Sequence, residues 1–152
     1  MQARIDYGKA APGTYRAMDA LDGYVRDCGL DKSVVLLVQL RASQLNGCAY
    51  CVDMHWKDLR ALCESEQRLY SLDVWRECPY YTERERAALA WTEAVTLIAG
   101  DHVPDAVYEA VRSQFSEREL ADLTLTVAAI NAWNRLSIAG RLIPGGYEAA
   151  AA

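Results

Sequence analysis

Apolar residues recur at spacings of three and four along this chain, and twice the recurrence is opened by a capping box. Thr82-Glu83-Arg84-Glu85 precedes a stripe of Ala88, Trp91, Val95 and Ile98 that continues to Gly100. Ser116-Glu117-Arg118-Glu119 precedes a long apolar pattern, rich in small residues, that ends at Gly140. In such a box the first hydroxyl and the glutamate three residues later satisfy each other's free amide hydrogens, which marks where a helix starts. With only 4 prolines, and with the strong patterns at helical rather than strand spacing, the chain reads as all-α.

The remaining helices follow from the same logic. After a polar arm through Thr14, the stretch Tyr15 to Cys28 carries Met18, Leu21 and Val25 on one face, and Gly29 supplies a stop. Asp31 or Ser33 can cap a second helix through Val34, Leu37, Leu40 and Ala42 towards Ser43. Asn46-Gly47 then marks a break, and Cys48 starts a new helix through Cys51, His55, Leu59 and Leu62. Between Ser65 and Tyr81 the periodicity weakens, and Cys78-Pro79 points to a loop because a residue before proline avoids helical angles. Asp101-His102-Val103-Pro104 leads into a short helix through Val107 and Val111, and Pro144-Gly145-Gly146 ends the pattern ahead of an Ala-rich terminus.

The 152 residues, 52% hydrophobic and 24% charged, suit a single globular domain spanning 1–152. A formal net charge of −5, with the basic residues scattered singly, disfavours nucleic acid and acidic membrane surfaces as partners. No apolar run approaches the ~18 residues of a membrane span; the best, Val34 to Leu40, is interrupted by Gln39. The N-terminus lacks the apolar core of a secretory signal, and 5 cysteines are an odd number for a disulfide framework, so a cytoplasmic protein is expected.

In that setting Cys48-Ala49-Tyr50-Cys51 points to redox chemistry or metal binding. The pair can close a disulfide within one turn, and a cysteine at a helix N-terminus faces free amides that favour thiolate. His55, one turn after Cys51 and two after Cys48, shares their face, and an imidazole with a pKa near ~6.5 can move a thiol proton at neutral pH. Plainer roles compete. The two cysteines can be inert small hydrophobes, or with His55 provide three zinc ligands, although a closed zinc site needs a fourth and the chain has no second such pair. Cys28, Cys63 and Cys78 read as core or surface thiols, and His102, beside Asp101, as a solvated side chain. Trp56, Trp75, Trp91 and Trp133 read as core or subunit interface.

The run Leu40-Arg41-Ala42-Ser43-Gln44-Leu45-Asn46-Gly47-Cys48-Ala49-Tyr50-Cys51-Val52-Asp53-Met54-His55 resembles the signature of the alkylhydroperoxidase D-like branch of the carboxymuconolactone decarboxylase family. Tyr81 to Glu93 and Asn131-Ala132-Trp133-Asn134-Arg135-Leu136 are similar to the same branch, so the likeness spans roughly residues 30 to 143. The resemblance implies an all-helical bundle assembled as a homo-oligomer, a trimer or hexamer. It also implies a thiol peroxidase that cycles Cys48 and Cys51 between dithiol and disulfide, with His55 as proton shuttle. No tightly bound cofactor or metal is implied; the implied electron donor is an external dithiol of the dihydrolipoamide kind. The implied partners are a hydroperoxide substrate, a peroxiredoxin and a lipoyl protein.

Two positions depart from the family pattern. Where relatives carry a glutamate that starts a proton relay to the histidine, this chain has Leu36, and where some carry a histidine between the cysteines it has Tyr50. A carboxylate that would orient the imidazole is thereby replaced by an apolar group, and peroxidase activity is expected to be reduced, to use another relay, or to act on an unfamiliar substrate. Two other classes of function stay open on sequence: a non-redox lyase like the decarboxylase members, against which the cysteine pair argues, and a helical assembly protein whose redox site has decayed.

Overall fold

The structure is a computed structural model that describes residues 2–150, and every regular element among the described residues is helical. In chain order these are α1 (Tyr7–Ala10), α2 (Pro12–Asp27), α3 (Lys32–Asn46), α4 (Ala49–Ala61), α5 (Glu66–Tyr70), a 3₁₀ helix (Leu72–Glu77), α6 (Glu83–Thr96), α7 (Ile98–Asp101), α8 (Asp105–Arg112) and α9 (Glu117–Gly140). No described helix is long and apolar enough to cross a membrane.

Helix α3 is the hub, packed against α4, α6 and α9. A helix apolar on every side has to be enclosed, and α3 obliges: Val34, Val35, Leu36, Leu37, Val38 and Leu40 are all buried. On one flank Val34 and Val38 meet Ala88 and Trp91 of α6, Val111 of α8 and Leu123 and Val127 of α9. On another, Leu37 and Leu40 meet Leu59 of α4, Leu69 of α5, Leu72 and Trp75 of the 3₁₀ helix and Leu89 of α6. Glu93 of α6 ties the second flank together by accepting from Arg41 Nε and Trp75 Nε1, each at 2.8 Å. Burial pushes its carboxyl pKa up, but the donors of Trp75, Arg76 and Arg41 outweigh that and hold it down.

Both capping boxes form, at Thr82 with Glu85 and at Ser116 with Glu119. Between the two candidates for α3 the cap is Asp31, whose carboxylate accepts from the amides of Ser33 and Val34.

Three stretches differ from the sequence expectation. The polar arm contains α1, capped by Asp6, and α2 begins at Pro12 rather than Tyr15, because proline is harmless at a first helical position where no amide hydrogen is needed. The weakly periodic stretch from Ser65 holds α5 and the 3₁₀ helix. The stripe expected to run to Gly100 breaks at Leu97, where Leu97 and Ile98 lie exposed with no core beneath them to hold the helix straight. Gly140 does end α9, but the left-handed residue is Arg141 (φ 54°); Gly140 is small because a Cβ there would come within 2.8 Å of the Tyr7 ring.

A buried polar network locks the end of α3 to α9. Asn46 Nδ2 donates to Asn131 Oδ1 (3.0 Å) and Asn134 Oδ1 (2.8 Å), Asn134 Nδ2 donates to Ser43 Oγ (3.1 Å), and Asn131 Nδ2 donates to Thr96 Oγ1 (3.0 Å). Asn134→Ala would take one partner each from half-buried Asn46, which keeps Asn131, and from buried Ser43, which keeps the Gln39 carbonyl. The expected cost is about 2–3 kcal/mol, read as a lower urea midpoint at unchanged slope; an unchanged midpoint would show that the network contributes no stability.

Candidate active site

The chain turns sharply between α3 and α4. Gly47 adopts a left-handed conformation (φ 69°) and its amide donates to the carbonyls of Ser43 and Gln44, after which Cys48 N donates to Ser43 O at 3.0 Å. That closure sets Cys48 at the N-cap of α4, where its Sγ accepts from the Cys51 amide at 3.3 Å. Cys48 and Cys51 are joined by a disulfide, their Cα atoms 5.4 Å apart. Both are buried against Ala42 and Ile130, with Tyr50 and Trp133 at the margin. Cys28, Cys63 and Cys78 are free thiols elsewhere, half-buried or exposed, and His102 is exposed. Among the described residues no three His, Cys, Asp or Glu side chains gather as a metal site.

His55 follows one turn after Cys51 and is buried, with neither ring nitrogen hydrogen-bonded. Burial alone pushes its pKa down to about 4, so the ring is neutral at pH 7. Asp58, the next turn along α4, brings Oδ2 to 3.8 Å from Nδ1, too far for a hydrogen bond and too weak to offset the loss of water.

Two cavities meet at this imidazole. The smaller, about 170 Å³, is bounded by Cys51 and His55 with Tyr15, Tyr50, Met54 and Trp133 among its walls. Cys51 lines it and Cys48 does not. The larger, about 570 Å³, lies between α2, α3, α4 and the C-terminal tail, and Leu36 and Asp58 are in its wall. Asp22, Gln39, Met54 and His55 border both.

The profile of the carboxymuconolactone decarboxylase family matches residues 12–94, which include both cysteines and His55. The chain belongs to that family. An uncharacterized protein of Bacillus subtilis, YdfG, is 41% identical over 139 residues, covering 91% of this chain and 95% of its own length. A solved structure from Agrobacterium tumefaciens, a protein of unknown function provisionally assigned as the antioxidant defence protein AhpD, superposes with a TM-score of 0.93. It is 44% identical, over 96% of this chain and 100% of that one. The apo structure of the debrominase Bmp8 superposes with a TM-score of 0.78 at 18% identity, over 89% of this chain and 73% of that one, a likeness of fold alone.

Within this family member, sequence reasoning placed Cys48, Cys51 and His55 together but missed their surroundings. Asp58 stands three residues after His55, a spacing that puts it on the same face. Gln39 is the lone polar group in the Val34 to Leu40 run, and one turn after Leu36 it offers an amide to the cavities that Leu36 does not. Trp133 lines the smaller cavity rather than lying in the main core, and its Nε1 donates to Asp22 Oδ2 at 2.8 Å. Burial raises the Asp22 pKa against the lowering effect of that bond. Nothing local in the sequence pairs Asp22 with Trp133.

The buried imidazole makes stability depend on pH. Between pH 6.5 and about pH 4 the unfolded chain protonates His55 while the folded one does not, so stability falls as pH drops through that window and the effect is absent above it. The contribution of this group is about 3 kcal/mol at most. Thermal midpoints of the parent and of His55→Gln across pH 4 to 7 test this. The parent should lose more stability towards acid than the variant, and equal slopes would mean that the ring is hydrated.

Proposed function

We propose that this protein is a CxxC thiol peroxidase or thiol–disulfide oxidoreductase serving antioxidant defence, with Cys48, Cys51 and His55 as its working residues. The observation that carries the reading is a disulfide-linked pair of which one member, Cys51, lines a small cavity beside an unpartnered buried imidazole. Access makes Cys51 the attacking sulfur and Cys48, held behind it at the N-cap, the resolving one.

In the first half-reaction the Cys51 thiolate attacks the terminal oxygen of a hydroperoxide, the O–O bond breaks, and the alkoxide leaves as alcohol with the proton that His55 took from the thiol. The Cys48 thiol then displaces water from the Cys51 sulfenic acid, forming the disulfide. An external dithiol of the dihydrolipoamide kind supplies two electrons and two protons to restore the pair. A peroxiredoxin disulfide can take the place of the hydroperoxide as electron acceptor. A cytoplasmic location suits such a cycle because thiols there are kept reduced.

His55 is neutral and so free to accept a proton, and the thiolate that results is itself the anion that stabilises the imidazolium; the two groups charge together. Reacting the reduced protein with an organic hydroperoxide should consume two thiols per subunit. Cys48→Ser should stop at a Cys51 sulfenic acid that dimedone traps, and Cys51→Ser should not react at all. Unchanged thiol loss in Cys51→Ser would overturn the assignment.

The working unit is proposed to be a homo-oligomer, a trimer or hexamer. Helix α2 buries only Val25 of its 16 residues, and Tyr24, Leu97, Ile98, Ile138 and Ile143 are each 47–55% exposed on one subunit. Faces of this kind are expected to be covered by a second copy. Sedimentation at micromolar protein should show the assembly, and a stable monomer would refute it.

A further inference from the structure

We infer that Asp58, held in place by Tyr147 of the C-terminal tail, is the carboxylate partner of His55 and takes over the part that Leu36 leaves empty. This rests on the thiol–disulfide reading of the site.

The geometry is a chain of three side chains. Tyr147 Oη donates to Asp58 Oδ1 at 2.6 Å, and the other oxygen of that carboxylate lies 3.8 Å from His55 Nδ1. The tail is fastened where this needs it. Lys57 Nζ donates to the carbonyls of Gly145 (3.3 Å) and Tyr147 (3.0 Å) as well as to Asp53 Oδ2 (2.8 Å), and Gly145 N donates to the same Asp53 oxygen at 3.0 Å. Three residues of α4 therefore serve one arrangement: Lys57 and Asp53 grip the tail backbone, and Asp58 receives the hydroxyl of Tyr147.

His55 is buried with both nitrogens unpaired, a costly state unless a partner is used at some stage of the cycle. Two carboxylates border the cavities at the ring, Asp58 and Asp22, and Asp22 is already engaged by Trp133. The other titratable groups around these cavities are Cys51 once reduced, the phenols of Tyr15, Tyr50 and Tyr147 and, in the wall of the larger one, Arg26 and Lys32. Leu36 cannot help. A shift of about 0.8 Å would bring Asp58 within hydrogen-bond reach of Nδ1.

In the reduced protein the Cys51 proton passes to Nε2 of His55, and the imidazolium so formed donates its Nδ1 hydrogen to Asp58. The Nε2 proton then goes to the departing alkoxide, returning the ring to neutral with Nδ1 still protonated. Asp58 is thus a positioning residue. It fixes the tautomer and stabilises the cation without itself changing protonation.

The chain has 2 histidines, so NMR titration of the reduced protein gives two imidazole signals, assigned with His102→Gln. Asp58→Asn, nearly isosteric, is expected to lower the His55 pKa by about one unit or more. It should also slow thiol oxidation by about tenfold or more and narrow its pH profile. Tyr147→Phe should slow the reaction severalfold in the parent and have no effect in the Asp58→Asn background, since it acts only through Asp58. An Asp58→Asn protein whose His55 titrates within a few tenths of a unit of the parent overturns the inference, as does an additive double variant. The titration decides the point whether or not the parent consumes peroxide. Failure of Cys48 and Cys51 to cycle would remove the thiol reading, and an unmoved imidazole with cycling cysteines would remove only the role of Asp58.

Discussion

The site depends on how the end of α3 is held. Gly47 can reverse the chain between α3 and α4 at little cost because it has no Cβ to oppose a left-handed backbone. The reversal alone would leave α4 free to tilt; the Asn46–Asn134–Ser43 hydrogen bonds fix the last turn of α3 against α9, and Ile130 of α9 packs on the disulfide. The cysteine pair is therefore seated in a buried part of the bundle, held from α3 and α9. A Cys48 thiolate at the N-cap would gain from the same amide that now points at its sulfur.

Rigidity and enclosure also set the electrostatics. With net charge −5 on the chain, an imidazole at the surface would be drawn towards protonation, yet His55 is driven the other way because it has lost water and gained no partner. Desolvation wins over a carboxylate at 3.8 Å when that carboxylate is already satisfied by a tyrosine hydroxyl. The resting disulfide form thus carries no net charge on the ring or the sulfurs, which is the cheapest state to enclose. In the proposed cycle charge would appear only when the pair is reduced, and then as two opposite charges one turn of a helix apart.

Local rules carried the sequence reading a long way. The capping boxes, the Asn46-Gly47 break and the spacing of Cys48, Cys51 and His55 are short-range features, and the backbone obeys each of them. The features that escaped depend on partners distant in sequence. Asp22 meets Trp133 across 111 positions and Asp58 meets Tyr147 across 89, and no periodicity encodes either pairing. Ile98 misled for the opposite reason: its spacing continues the α6 stripe, but the single subunit places nothing against it. Gln39 was legible only as an interruption of an apolar run, although a polar residue on an enclosed helix needs a reason, and facing two cavities supplies one.

The same argument gives meaning to Leu36. A glutamate at that position would come from the hub helix, where Val35 and Leu37 on either side are buried, and would have to be kept ionised in apolar surroundings. Asp58 is about one-fifth exposed at the side chain and hydrogen-bonded at one oxygen, so its charge costs far less to maintain. A carboxylate on α4 also moves with His55, since both belong to one helix, whereas one on α3 would rely on the packing between helices to stay in register. In the wall of the larger cavity α4 then supplies the carboxylate of Asp58, while α3 supplies Val35 and Leu36 beside Gln39 and Lys32.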